Sequence, residues 1–107
     1  MMTHDEFARD VIRTINRTLT EDQQILCATM GIAGEAGELL DYMKKYFFQG
    51  HAYDREKIID ELGDILFYLT YLSETLCIGI DDVMEYNVAK RAKRYPNGFE
   101  VERSVNR

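Results

Sequence analysis

The sequence predicts an all-α protein, a helical bundle of about four helices with short connections. Apolar residues recur at spacings of three and four along most of the 107 residues, which is typical of amphipathic helices. Seven glycines and one proline are too few for the many turns of an all-β fold. A chain that is 46% hydrophobic can bury a real core. We therefore expect a single domain over residues 1–107, with a polar, mobile tail from about residue 100.

The first two helices are indicated by their start and stop residues. Residues 3–6 (Thr-His-Asp-Glu) and 20–23 (Thr-Glu-Asp-Gln) have the spacing of capping boxes, so each opens a helix. The first helix is expected to end near Arg17 or Thr18. The second is expected to run to Phe48, because the Gln-Gly pair that follows is a typical helix stop.

Two further helices complete the predicted bundle. Asp54 is expected to cap a third helix that ends near Cys77, and Asp81 or Asp82 to cap a fourth that ends before Pro96. The third helix has apolar residues on most of its sides, which predicts a central position and packing against a second subunit. Its two apolar stripes are Ile58, Leu62, Ile65, Leu69, Leu72 and Leu76, and beside them Ile59, Leu66 and Thr70.

Charge and cysteine content limit the possible partners and setting. The net charge is −6, with 17 acidic and 7 basic side chains in residues 1–86 against 2 and 6 in residues 87–107. An acidic bulk argues against nucleic acid as a partner. No signal peptide or membrane span is visible, so we expect a cytoplasmic protein without a membrane partner. Cys27 and Cys77 lie in separate apolar stretches and are expected to be buried thiols.

Two acidic steps, each a pair of carboxylate side chains three residues apart, lie inside apolar stretches of the second and third helices. Glu35 precedes Glu38 by three residues, and Glu61 precedes Asp64 by three, so each pair shares one face of its helix. If the helices are antiparallel neighbours, the four carboxylates converge, and protonation or a divalent cation would relieve their repulsion. Carboxylate clusters suit hard cations such as Mg²⁺ or Mn²⁺. The alternative is that each pair belongs to an ordinary solvated face.

The amino-acid sequence around these two acidic steps resembles that of a known family. The stretches GEAGELLDYMKKYF, DELGDILFYLTYLSE and NVAKRAKRYPNGF, between Leu26 and Phe99, are similar to the MazG-type all-α nucleoside triphosphate pyrophosphohydrolases. Many members carry a second glutamate where this chain has Gly34. The resemblance implies a MazG-like bundle, Mg²⁺ (with Mn²⁺ possible) as cofactor, and assembly into a homodimer or homotetramer. It implies that four residues are both metal ligands and catalytic: Glu35, Glu38, Glu61 and Asp64.

A basic face follows the acidic part of the chain. Asn87, Lys90, Arg91 and Arg94 have the i, i+3, i+4, i+7 spacing of one helix face. They either bind phosphate oxygens or form a solvated basic helix end. The resemblance favours Asn87 and Lys90 as phosphate ligands, with Arg94 as a further candidate. Lys45, about two turns after the first acidic step, is another.

These features predict hydrolysis of a nucleoside triphosphate to the monophosphate and pyrophosphate, dependent on a metal. Two alternatives remain open at the level of the sequence. One is the related phosphoribosyl-ATP pyrophosphohydrolase activity of histidine synthesis. The other is a non-catalytic helical module that binds a metal or a partner protein through the same bundle. The base and sugar of the substrate do not follow from the residues.

Overall fold

The computed structural model describes residues 1–107 and contains helices but no strands. The prediction of an all-α bundle is confirmed, with five helices instead of about four. None of them has the length and apolar character that a membrane-spanning helix requires. The helices are α1 (His4–Thr14), α2 (Glu21–Phe48), α3 (Arg55–Thr75), α4 (Ile80–Arg94) and α5 (Val101–Val105).

Helices α2 and α3 form an antiparallel hairpin that is the framework of the molecule. The capping box of Thr20 and Gln23 opens α2, and the side chain of Asp54 caps α3, as predicted. Where the hairpin helices cross, the ring of Tyr68 lies so close to Gly31 that a Cβ there would collide with it. Gly31 is therefore a point at which the backbone of α2 lies directly against a side chain of α3.

The small core lies where α1 and α2 meet α3. It centres on Val11, Ala28 and Tyr71, and the hydroxyl of Tyr71 donates a hydrogen bond to the side-chain oxygen of Gln24 at 3.3 Å. The aromatic residues Phe67 and Tyr68 pack against this cluster. Only 7 of the 107 residues are buried, so most of the hairpin's apolar surface is not covered within one chain.

The ends of several elements differ from the sequence-based expectation. Helix α1 ends at Thr14, before Arg17, because Asn16 accepts hydrogen bonds from the backbone N–H and hydroxyl of Thr18 and forms a turn. Gly79 is the N-cap of α4, so the prediction of an aspartate cap was wrong. Asp81 and Asp82 lie instead in the first turn of α4, where negatively charged side chains interact favourably with the positive end of the helix dipole. The expected mobile tail contains the short helix α5.

The C-terminal end of α3 explains an unexpected cysteine. Cys77 has φ of 56°, a left-handed conformation that is usually occupied by glycine. The amide of Ile78 donates to the carbonyl of Ser73, and the amide of Cys77 donates to that of Glu74, which is a Schellman motif. Cys27 and Cys77 are both exposed, so the expectation of buried thiols was wrong.

Helix α3 buries one face and leaves the other open. Ile58, Ile65 and Leu72 are partly covered, whereas Leu62, Leu69 and Leu76 of the same predicted stripe are each more than 40% exposed. The residues of the second predicted stripe also differ in burial, since Thr70 is fully buried while Ile59 and Leu66 are exposed. The structure of a single chain therefore covers only about half of the apolar surface that the sequence places on this helix.

Candidate metal centre

Three carboxylates from the two hairpin helices meet at one place. Glu35 comes from α2, and Glu61 and Asp64 come from successive turns of α3. One carboxylate oxygen from each lies within 4.8 Å of the others. The antiparallel arrangement of α2 and α3 brings the two acidic steps near each other, because the helix faces that carry them are opposed across the hairpin.

Glu61 is the buried member of this carboxylate cluster. Only 4% of the residue is exposed, and its Oε2 atom has no hydrogen-bond partner. Its Oε1 atom forms an ion pair with Nζ of Lys57, one turn earlier on α3, at 3.2 Å. The hydrogen bond and the negative charge of Glu61 raise the pKa of Lys57, so this ammonium stays charged. A buried carboxylate oxygen without a partner is costly unless a cation or a proton reaches it.

The other two acids of the carboxylate cluster have raised pKa values. For Glu35 the main cause is partial burial, followed by a hydrogen bond that only its protonated form can donate to Glu61, and by repulsion from the carboxylates around it. For Asp64, partial burial again comes first, followed by repulsion from Asp60 and Glu61, with Lys57 acting in the opposite direction. The cluster thus has a deficit of positive charge, which a divalent cation would supply.

Glu38, the fourth predicted ligand, does not belong to the close group. It is exposed, although near enough for its charge to add to the raised pKa of Glu35. It lines a neighbouring cavity of about 350 Å³. The cavity is lined by Glu38, Asp41, Tyr42, Lys45, His51, Ala52, Asp54 and Lys57. The role of Glu38 as a metal ligand therefore stays a prediction.

Tyr42 fixes one wall of this cavity. Its hydroxyl accepts a hydrogen bond from the backbone N–H of Asp54 at 2.6 Å and donates one to the carbonyl of Ala52 at 3.3 Å. These bonds hold the α2–α3 loop against α2 at the N-terminus of α3. Lys45 lies in the same cavity, where its Nζ is 2.8 Å from a carboxylate oxygen of Asp41. Of the predicted phosphate-binding residues, Lys45 is the one that the chain itself places beside the carboxylate cluster.

The other predicted phosphate ligands lie on α4, which has no buried residue. Asn87 accepts a hydrogen bond from Nε of Arg91 at 2.8 Å, and no hydrogen bond or ion pair links α4 to the carboxylate cluster. Lys90 and Arg94 instead line a cavity of about 610 Å³ between α4 and α5. Within one chain, the structure does not bring this basic face to the carboxylates.

Sequence reasoning missed Lys57. Lys57 lies four positions before Glu61, and side chains at this spacing on a helix can contact each other. The ion pair could therefore have been predicted from the sequence. The burial of Glu61 could not, because it depends on how closely α2 and α3 pack. Lys57 is also the residue that connects the carboxylate cluster with the neighbouring cavity.

The donor set fits a hard divalent cation. It consists of carboxylate oxygens alone and contains no histidine or cysteine that would favour a softer metal. One of the carboxylates, that of Glu61, also has a buried oxygen, Oε2, without a hydrogen-bond partner. The fold and the site define a class of protein: an all-α hairpin bundle with a cluster of carboxylates between its two long helices.

The comparison with known families identifies the family within that class. The model of the MazG nucleotide pyrophosphohydrolase domain matches residues 23–99, most of the chain. The chain belongs to this family. It is also similar to the Gene 37 protein of Mycobacterium phage L5, with 31% identity over 74 residues. That match covers 65% of this chain and 65% of the phage protein. No solved structure matches the chain.

Proposed function

We propose that this protein is a Mg²⁺-dependent nucleoside triphosphate pyrophosphohydrolase, with Mn²⁺ as a possible substitute, which releases the nucleoside monophosphate and pyrophosphate. The observation that carries the proposal is the buried carboxylate of Glu61, whose Oε2 has no hydrogen-bond partner and one oxygen of which lies within 4.8 Å of oxygens from two further carboxylates. Membership of the MazG family supports the reaction class. A solvated acidic face, the alternative at the level of the sequence, would not bury one of its carboxylates.

Each residue of the site has a definite task in this proposal. Glu35, Glu61 and Asp64 hold the cation, and Glu38 lies where it can reach either the cation or a water molecule in the cavity. When these residues hold a divalent cation, it would lower the pKa of a water molecule and offset the charge of the triphosphate. Lys45, which lines the same cavity, would bind a phosphate oxygen once its ion pair with Asp41 opens.

The proposal is tested by measuring pyrophosphate release with Mg²⁺ across a panel of substrates. Canonical and damaged nucleoside triphosphates define the preferred base and sugar, and phosphoribosyl-ATP tests the related activity. Release of pyrophosphate from at least one of them, abolished by a chelator, is the expected result. Absence of release from all of them, together with intact metal binding, would instead identify a non-catalytic module.

We further propose that the working form is a homodimer or homotetramer. An exposed seam on α2 has the alternating spacing of four and three that is typical of coiled-coil packing. The radius of gyration is 17.1 Å, against about 13 Å for a compact chain of this length. A second copy packed on this seam would cover the apolar side chains that are exposed along α2. The seam consists of Leu26, Met30, Ala33, Gly37, Leu40, Lys44 and Phe47.

The assembly is tested by changing one residue of the seam. Leu40 is 71% exposed in the single chain, so Leu40→Glu would have little effect on a monomer but would place a charge inside a subunit interface. Light scattering should give two or four times 12.5 kDa for the wild type and a shift towards the monomer for the variant. Met2→Glu, at a residue that is 66% exposed and outside the seam, is the matched control. An active wild-type monomer would contradict the proposal.

Assembly also bears on the basic face of α4, which one chain does not bring to its own carboxylates. If Lys90 of another subunit binds the triphosphate, Lys90→Ala should lower kcat/KM by about tenfold to 150-fold, the loss of a charge-assisted hydrogen bond. Metal affinity without nucleotide should be unchanged, because Lys90 makes no contact with the metal ligands. Steady-state kinetics and a calorimetric metal titration measure both quantities. A change in kcat/KM below about twofold would mean that this face is only solvated.

A further inference from the structure

The ion pair between Lys57 and Glu61 differs from every other ion pair in the molecule. In the pairs Arg13–Asp10, Lys44–Asp41 and Lys45–Asp41, both side chains are at least 42% exposed. In the pair with Glu61, the lysine side chain is 45% exposed and the carboxylate side chain only 5%. A half-solvated cation therefore reaches inward to a buried anion.

Helical geometry alone does not account for this contact. A lysine that precedes a glutamate by four residues is in the weaker of the two possible orders, and exposed pairs of this kind add little to stability. Burial of Glu61 makes this ion pair more important than an exposed one, since an ionised carboxylate that is cut off from water needs a positive partner. Lys57 supplies that charge at 3.2 Å from Oε1.

We propose that Lys57 is a tethered counter-cation that competes with the divalent metal for Glu61, and so sets the metal concentration at which the site fills. This inference rests on the proposed metal site. An ammonium at Oε1 repels a dication approaching the same carboxylate, and the dication gains its full interaction only when Nζ moves away.

The structure also shows where the lysine would go. Lys57 lines the 350 Å³ cavity with Lys45 and His51, so its ammonium can swing from Glu61 into that cavity without crossing the core. Metal binding would then add an unpaired ammonium to the cavity that Lys45, itself paired with Asp41, also lines. The same motion couples filling of the metal site to the positive charge of the cavity.

The first test measures Mn²⁺ binding by calorimetry, without nucleotide, for Lys57→Gln. Glutamine retains an N–H donor for Glu61 but removes the charge, so Mn²⁺ should bind about tenfold more tightly than in the wild type. The metal-free variant should melt at a lower temperature than the wild type, and saturating Mn²⁺ should abolish or reverse that difference. Lys44→Gln, which removes a lysine paired only with Asp41, is the matched control and should leave Mn²⁺ affinity unchanged.

A second measurement uses the wild type and does not depend on the folding of a variant. In protein labelled on lysine, the Cε resonance of Lys57, assigned with Lys57→Arg, should shift towards that of a solvated lysine as Mg²⁺ fills the site. The Lys44 resonance should not move. A Lys57 resonance that stays in place at saturation, or Mn²⁺ affinity that is unchanged or weaker in Lys57→Gln, overturns the competition. A wild type that binds no divalent cation overturns both this inference and the metal site.

Discussion

Glu61→Gln is expected to reduce pyrophosphate release more than about 100-fold, the upper range for residues that only support a metal ligand. The same variant should melt at a higher temperature than the wild type when metal is absent. Glutamine keeps the shape of the buried side chain but removes a charge that faces Glu35 and Asp64 and has only Lys57 as partner. Lys57 can turn to solvent because nearly half of its side chain is already exposed.

Opposite effects on activity and on metal-free stability distinguish a functional cluster from a structural one. Activity is followed by pyrophosphate release and stability by thermal melting in a chelator. Glu85→Gln on α4, at an exposed glutamate outside the carboxylate cluster, is the control and should change neither quantity. If metal-free Glu61→Gln melts lower than the wild type, the ion pair with Lys57 outweighs the repulsion in the cluster. That result would refute this explanation of the site.

Mg²⁺ is expected to stabilise the fold by about 2.7 kcal/mol at a hundredfold excess over its dissociation constant. For a domain of this size, that corresponds to a rise in melting temperature of roughly 10 °C or more. A chelator should reverse the rise, and NaCl at matched ionic strength should not reproduce it. Equal melting with and without Mg²⁺ would exclude a cation site coupled to the fold.

The pH dependence of metal-free stability should follow from the two raised pKa values. Glu35 and Asp64 have pKa values above the ordinary 4.5 and 3.8, so the folded state holds these protons more tightly than the unfolded chain. The free energy of unfolding should therefore fall as the pH rises through the window above those values, and recover on acidification towards 4.5 for Glu35 and 3.8 for Asp64. The lysines beside Asp41 lower its pKa, so its opposite contribution is lost only below 3.8.

Mg²⁺ should remove this dependence, because a bound cation keeps the carboxylates ionised and competes with protons for them. Thermal melts or urea titrations at a series of pH values, with and without Mg²⁺, measure the two slopes. In Asp64→Asn, one of the two titrating groups is gone, so the metal-free slope should be smaller. A metal-free stability that rises with pH above 4.5 would contradict the assignment of the repulsion to this carboxylate cluster.

Local signals in the sequence were sufficient for the fold class and for most helix ends. The capping boxes at Thr3 and Thr20 and the cap at Asp54 involve residues within three positions, so nearby sequence specifies them. The errors at Gly79 and Cys77 also have local causes. Either of two aspartates looked like a better cap than glycine, and a cysteine in a left-handed cap has no sequence pattern.

The sequence by itself determined the all-α class, the two acidic steps and four candidate residues for the carboxylate cluster, because helical periodicity states which side chains share a face. Only the tertiary structure decided that Glu61 is buried, that Lys57 pairs with it and that Glu38 lies outside the close group. These properties depend on how closely α2 approaches α3 at Gly31, and distances between helices are set by packing across the chain, which no local pattern contains.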